Sequence, residues 1–267
     1  MTSDVAVAAG GCHLFSGCGF PAPGLNDFDF KPLFTIGSFN FTKPEMIAFL
    51  SAFIVIGFFW AAFAKPKMIP GRLQSLGELA VVAVRDQIVR PSLGKNGDKY
   101  LPLLVSMFFF ILVMNLMELI PVLQFPSMSR IGFVVPLAAI VYILYIYLGF
   151  KNQGALGYIS NRWPRGVPWP VYIILIPVEL LRFFIIQPFT LGIRLFANMF
   201  AGHLLLSIFM VATWYLMSFS IGLLFAAGSA AMVLFVFLLE LLVDLLQAFI
   251  FTTLTATYIA SSLEAQH

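Results

Sequence analysis

One arginine within a long apolar stretch limits what this chain can fold into. The run from Pro188 to Leu206 reads PFTLGIRLFANMFAGHLLL, with Arg194 among apolar residues. A guanidinium stays protonated, and placing it at the depth of a lipid bilayer costs about 3 kcal/mol on insertion scales. The chain therefore needs a negative partner or a use for this charge, which makes Arg194 the first candidate functional residue.

Composition predicts an integral membrane protein. Of the 267 residues, 61% are hydrophobic and 10% are charged, whereas soluble domains carry about 25% charged residues. The net charge of +3 is small and dispersed, so we expect no nucleic-acid partner. The sequence also lacks the GxxxxGK[ST] loop that binds nucleotide phosphates.

Residues 1–45 are predicted to be a tail that precedes the first membrane crossing. Its cysteines, Cys12 and Cys18, flank His13, which is a poor ligand set for a metal, so we expect no metal site. A local disulfide is the alternative in an oxidising compartment. The tail lacks the basic and apolar regions of a cleaved signal peptide.

The apolar runs predict an all-α integral membrane fold with five crossing helices and one amphipathic interfacial helix. About 20 apolar residues span a lipid core, and the first three such runs are 46–64, 101–120 and 131–150. The second and third lie in a segment, 101–170, that ends in a loop with tryptophan and arginine anchors.

The amphipathic helix is predicted over residues 72–90. Its apolar residues recur at helical spacing, but its five charges exclude a membrane span, so it should lie in the membrane interface. A short soluble cytoplasmic helix is the alternative.

The last two apolar segments, about 171–217 and 221–262, are twice as long as a crossing requires. A helix of forty residues is about 60 Å long. Because no charged or turn-rich break interrupts them, we predict two long, steeply tilted helices that form a hairpin over 171–262. Pro177 and Pro188 should kink the first helix without ending it. Two crossings in each segment are the alternative.

Basic residues predict the orientation. Ten lie in the segments 65–99 and 151–165, against three in the opposite segments. The positive-inside rule puts the ten in the cytoplasm, with the N-terminus outside and the C-terminus inside.

Polar residues inside the crossings form a short set of candidates. Arg194 and Asn198 are four residues apart and share a helix face, while His203 is about half a turn away from Arg194. Glu179 and Arg182 have the spacing of a simple ion pair, which would explain them without a functional role.

The last helix carries a polar stripe. Glu240, Asp244 and Gln247 are spaced i, i+4 and i+7, which suits either a buried ion-pair set or the wall of a hydrated path. His203 and Glu240 are at similar distances from the hairpin turn, so we expect them to meet as a pair that can exchange protons.

Structural roles compete with these functional ones. Arg194 could form only an ion pair with Asp244 or Glu240, and His203 only an interhelical hydrogen bond. Asn115 and Glu118, near the end of the second crossing, could line the outer mouth or simply lie at the interface. Together, a fixed cation and several titratable groups indicate ion movement.

Three motifs resemble those of subunit a of the F-type ATP synthase. The segment LGIRLFANMFAGH, 191–203, resembles the arginine-bearing helix of that family. LQAFIF at 246–251 resembles its second signature, and NLMELIP at 115–121 is similar to its NLLGLIP segment. The motifs occur in the family's order and cover about residues 101–259.

The resemblance implies a proton-conducting stator in a bacterial plasma membrane, with two offset half-channels beside a rotating ring of c subunits. It implies b-type peripheral stalk subunits as further partners, ATP chemistry on other subunits, and no cofactor. It assigns the essential arginine to Arg194, the asparagine to Asn198 and the glutamine to Gln247. The implied proton path comprises His203, Glu240, Asp244, Glu118 and Asn115 on the outer side and Glu179 on the inner side.

Two departures from the family pattern stand out. His203 and Glu240 are exchanged relative to some bacterial members, which keeps one imidazole and one carboxylate. The interval from Glu179 to Pro188 is one residue longer than usual, which leaves the role of Glu179 open.

The sequence lacks the features that other classes of membrane protein would need. A secondary transporter would show an inverted repeat with broken helices. A membrane enzyme would need more nucleophiles or metal ligands in the spans. A structural anchor would not need a buried arginine.

Overall fold

The structure is a computed structural model that describes residues 20, 23–24, 34–36, 39–120, 127–154, 157–158, 169–217 and 222–263. Cys12, His13 and Cys18 lie outside these residues. Within the predicted tail, β1 (Phe34–Ile36) and β2 (Phe39–Phe41) form an antiparallel pair in which Thr35 is opposite Asn40. All other regular structure in the described residues is helical.

The helices follow in chain order. They are α1 (Lys43–Phe63), α2 (Arg72–Val84), α3 (Arg90–Leu93), α4 (Leu101–Leu119), α5 (Ile131–Gln153), α6 (Trp169–Leu181), α7 (Gln187–Leu216) and α8 (Gly222–Leu263). A π turn, Arg85–Val89, joins α2 to α3, and a second π turn, Arg182–Ile186, joins α6 to α7. A 3₁₀ segment, Gly94–Tyr100, leads into α4.

Five helical segments are long and apolar enough to cross a membrane, which confirms the predicted fold class. They are Lys43–Phe63, Gly97–Leu119, Ile131–Gln153, Ile174–Leu216 and Gly222–Leu263. The last two have 43 and 42 residues, and 42 residues of α-helix run about 63 Å. Since neither is interrupted by a loop, the alternative of two crossings in each segment is wrong. A single crossing of about 30 Å then requires strong tilt.

The predicted amphipathic helix forms as α2, with its polar and small residues turned inward. The Gln74 amide holds the backbone of Lys67 through two hydrogen bonds of 3.1 Å each. A Cβ added at Gly77 would lie 2.8 Å from the Cβ of Ala62, so this glycine allows α2 to approach α1 closely. The leucines face outward, and Leu79 is 65% exposed.

The described chain divides into two compact units. Unit 1 comprises Met1–Phe53, Leu112–Ser129 and Ala197–Leu246, and unit 2 comprises Ile54–Ile111, Arg130–Phe196 and Gln247–His267. The predicted site residues of unit 1 are Asn115, Glu118, Asn198, His203, Glu240 and Asp244. Arg194, Gln247 and Glu179 fall in unit 2.

An aromatic cluster forms much of the core of unit 2. The Phe183 ring meets those of Tyr145 and Tyr158 edge to face, with centroids 5.3 and 5.5 Å apart. The Tyr158 hydroxyl lies 2.8 Å from Ser262 Oγ, and Gln153 Nε2 donates to the Ser262 carbonyl at 3.1 Å. These two hydrogen bonds connect the last turn of α8 to the end of α5 and the residues after it.

Gly149 offers a test of this packing. Its Cα faces the Tyr158 ring so closely that an added Cβ would overlap the ring. Because overpacking of a well-filled core typically costs about 1–3 kcal/mol, Gly149→Ala should lower the thermal stability of the detergent-solubilised complex. Gly132→Ala is the matched control on the same helix, since nothing lies within 4 Å of a Cβ there. Equal melting temperatures for the two variants would contradict this packing.

Candidate functional site

His203 and Glu118 form a close pair of titratable side chains among the described residues of unit 1. His203 Nδ1, on α7, lies 2.9 Å from Glu118 Oε1, on α4. The Glu118 side chain is 1% exposed, so α4 contributes a carboxyl to the interior rather than to the membrane surface. The sequence predicted Glu240 as the partner of His203. It left open whether Glu118 lines the outer mouth or simply lies at the interface. The structure adds Glu118 from a different helix, and Glu240 also lies within electrostatic range of His203.

Glu240 reaches the same helix, α7, at the glycine that precedes His203. A Cβ added at Gly202 would lie 2.5 Å from Glu240 Oε1. Only glycine lets the carboxyl of α8 come this close to the backbone of α7. The pairing of α7 with α8 is continued by Ser229 Oγ, which donates to the Phe209 carbonyl at 3.0 Å.

Asn115 connects α4 to α8. Its Nδ2 donates to the Asp244 carbonyl at 3.4 Å, and both residues are buried. The candidate residues of unit 1 therefore come from three helices, α4, α7 and α8. They form two contacts, His203 with Glu118 and Asn115 with Asp244, and Glu240 closely approaches Gly202.

Several oxygens of this group have no hydrogen-bond partner within the described part of the chain. They include Asn115 Oδ1, both carboxyl oxygens of Glu240 and Asp244 Oδ2. A buried polar atom without a partner costs about 1–3 kcal/mol, and an isolated buried charge costs more. Such groups need a proton or a water molecule, which is the requirement of a proton relay.

Arg194, in unit 2, lies on the exposed side of α7. The opposite side of the helix is packed, because Leu191 and Leu195 are buried and an added Cβ at Gly192 would lie 3.3 Å from Val134 Cγ1. Among the residues that the structure describes, Arg194 forms no ion pair. The guanidinium is thus presented on the exposed side of α7.

Gln247 holds the backbone beside this charge. Its Nε2 donates to the Arg194 carbonyl at 3.3 Å, and its side chain is buried. Asn198, four residues beyond Arg194 on the same helix, is exposed like the arginine. The shared face that the sequence predicted for these two residues is consistent with their exposure.

Glu179 and Arg182 form the i, i+3 ion pair that their spacing predicted. The Arg182 side chain is 54% exposed and that of Glu179 is 21% exposed, so the pair lies at the surface of unit 2. The π turn Arg182–Ile186 follows directly.

Sequence reasoning missed Tyr145, whose hydroxyl donates to the Phe183 carbonyl at 3.2 Å. A tyrosine in the middle of a crossing helix is the one signal that could have found it, because a buried hydroxyl needs a partner. No group of three or more histidine, cysteine or acidic side chains in the described ranges is arranged to hold a metal ion.

Comparison with known proteins shows the family of this chain. The family described as ATP synthase A chain matches residues 46–260. The ATP synthase subunit a of Streptomyces lividans is 44% identical over 261 residues, which cover 96% of this chain and 92% of that protein.

Two further relatives carry the same description. That of Rhodococcus erythropolis is 40% identical, with 92% of this chain and 91% of the relative covered. That of Pseudarthrobacter chlorophenolicus is 37% identical, with 92% and 94% covered. With five crossing helices and this family match over most of its length, the chain is a multi-pass membrane protein that belongs to the ATP synthase A chain family.

Proposed function

We propose that protons reach and leave the rotor by two separate paths on this subunit, with Arg194 as the charge barrier between them. As a member of its family, the chain is the proton-conducting stator of the F-type ATP synthase. One observation carries the proposal. Arg194 is exposed and has no ion pair among the described residues, on a helix whose other side is packed.

An exposed arginine within a membrane span requires an anionic group from outside the chain. The group that fits is the mid-membrane carboxylate of a ring of c subunits. Such a carboxylate crosses lipid protonated, because desolvation of the ion is too costly. Beside Arg194 its ionised form is favoured, so the proton is released there. The guanidinium does not deprotonate, and it therefore blocks a direct leak from one path to the other.

The outer path runs through the buried group of unit 1. The neutral imidazole of His203 can accept a proton at one nitrogen while it donates from the other. Glu118, 2.9 Å from His203 Nδ1, and Glu240, beside Gly202, can each carry the proton in turn. Asn115 and Asp244 complete the wall, and their free oxygens can hold water.

The inner path begins at Glu179, at the surface of unit 2. Arg182 pairs with this carboxylate while Glu179 is still partly exposed, which suits a group that hands protons to water. Gln247 and Asn198 act on Arg194 itself. Gln247 fixes the backbone position, and Asn198 offers an uncharged hydrogen-bonding group on the same exposed side.

The force that drives the motor is the transmembrane potential. Each proton that descends 100 mV releases about 2.3 kcal/mol, so rotation must add several protons together before one ATP is made on other subunits. This chain contributes no nucleotide chemistry of its own, since no phosphate-binding loop occurs in its sequence.

The subunit is placed in the bacterial plasma membrane, with the tail outside and the C-terminus in the cytoplasm. The distribution of basic residues supports this orientation. The exposed leucines of α2 fit the cytoplasmic membrane interface, and the hairpin over 171–262 would face the ring. The b-type stalk subunits would hold the stator against the remaining complex.

Replacement of Arg194 tests the charge barrier. Arg194→Ala should abolish ATP-driven proton pumping in membrane vesicles that contain the assembled complex, and it should open a passive proton leak. Arg72→Ala removes an exposed arginine from α2 and is the matched control, with pumping close to wild type. Normal coupled pumping by Arg194→Ala would refute the proposed mechanism.

The outer path can be tested at Glu118. Glu118→Gln preserves the size of the side chain but cannot carry a proton, so the pumping rate should fall several-fold, as should that of His203→Ala. The double variant should be no slower than the slower single variant, because both residues act in one relay. Fluorescence quenching of a pH-sensitive dye in vesicles measures these rates. Losses that multiply in the double variant would place the two residues in independent steps.

The orientation can be tested with Cys12 and Cys18, the only cysteines in the chain. After mild reduction, a membrane-impermeant maleimide added to intact cells or right-side-out vesicles should label both. Inside-out vesicles should react only after they are opened with detergent. Labelling in the reverse pattern would place the tail in the cytoplasm.

A further inference from the structure

One turn of the helical run that carries Arg194 is not α-helical. In the turn Arg182–Ile186, the Gln187 N–H donates to the carbonyl of Arg182, five residues earlier rather than four. A π turn takes up one residue more than an α turn. It therefore rotates α6 relative to α7 by about 100°, compared with an uninterrupted α-helix.

The sequence explains why one carbonyl at this turn loses its usual α-helical donor. The Phe183 carbonyl would normally accept from the Gln187 N–H, but that donor serves Arg182. The residue five positions after Phe183 is Pro188, which has no N–H. A buried carbonyl without a donor is costly.

Tyr145 supplies a donor to this carbonyl from α5. Its hydroxyl donates to the Phe183 carbonyl at 3.2 Å, and the two residues are 1% and 4% exposed. Their rings also pack edge to face, with centroids 5.3 Å apart. At this π turn, Pro188 thus offers no backbone donor, and Tyr145 of the neighbouring helix donates from its side chain instead.

The turn changes which residues share a face with Arg194. In an uninterrupted α-helix, Glu179 would lie about 60° from Arg194 around the axis and Arg182 about 120° away. When the π turn takes up one residue, these angles become about 40° and 20°. Arg182 is therefore brought onto the face of Arg194, and Glu179 moves from one flank of that face to the other.

The burial of Phe183 supports the same rotation. Without the π turn, Phe183 would lie about 20° from Arg194 and would be exposed with it. With the turn, Phe183 lies about 80° away, on the side where Leu191 and Leu195 pack. Phe183 is in fact 4% exposed.

We propose that this π turn sets the rotational register of the inner proton path, and that Tyr145 is its positioning residue. The turn absorbs one residue between Glu179 and Arg194, so that both members of the ion pair lie within about 40° of the arginine around the helix axis. This inference rests on the proposed function and extends it to a residue, Tyr145, that touches neither the proton nor the rotor.

The register can be tested by changing the number of residues in the turn. Deletion of Ile185 converts the π turn into an α turn with the same angles, and the residue is 57% exposed, so little packing is lost. Insertion of one alanine after Ile185 instead adds about 100° of rotation. In vesicles with the assembled complex, the deletion variant should keep at least half of the wild-type rate of ATP-driven pumping. The insertion variant should lose at least nine-tenths of it.

If the turn were an ordinary stretch of spanning helix, the deletion and the insertion would cause similar losses of pumping. Comparable losses in both variants, normal pumping by the insertion variant, or a deletion variant that does not assemble would each overturn the proposal.

Tyr145→Phe tests the hydrogen bond and keeps the ring. It should lower the pumping rate several-fold. Combined with the insertion, it should cause no loss of pumping beyond that of the insertion alone. Tyr142→Phe, one turn away on the same helix, is the matched control and should pump normally. Normal pumping by Tyr145→Phe would remove it as the positioning residue.

Arg194→Ala is measured in the same preparation. If that variant pumps normally, the proposed function itself fails. If it is inactive while the insertion variant pumps normally, only the register inference fails.

Discussion

The cost of a permanent charge in lipid governs this molecule. Arg194 cannot lose its proton, and the described structure gives it no carboxylate of its own. The surrounding helix is therefore organised to present the charge rather than to bury it. Leu191, Gly192 and Leu195 fasten one side of α7 to the protein, and the arginine occupies the other side. Buried titratable groups are gathered elsewhere, on α4, α7 and α8 of unit 1.

The sequence was sufficient for the five crossings, because a hydrophobic run of fixed minimum length has no other stable location. It was also sufficient for the ion pair of Glu179 and Arg182, which depends on local spacing alone. The contact of His203 with Glu118 could not be predicted. Glu118 is 85 positions away in the chain, and its contact depends on how α4 packs against α7, which residue spacing does not specify.

The π turn shows the same limit in a local form. A proline in a long helix predicts a kink, but whether the helix bends or takes up an extra residue depends on a donor from another helix, Tyr145. The one-residue excess between Glu179 and Pro188 had left the role of Glu179 open. A turn that absorbs one residue accounts for that excess and supports the assignment of Glu179 to the inner path, which remains a proposal.

The attachment of Ser262 has a mechanical consequence. A stator has to withstand the sideways drag of a rotor, and a helix about 63 Å long would bend or fray if its end were loose. At the last turn of α8, Tyr158 hydrogen-bonds to the side chain of Ser262 and Gln153 donates to its carbonyl. A sideways force on the last turn of α8 would therefore pass to α5 and the residues after it, because this end of the helix is held at both its side chain and its backbone.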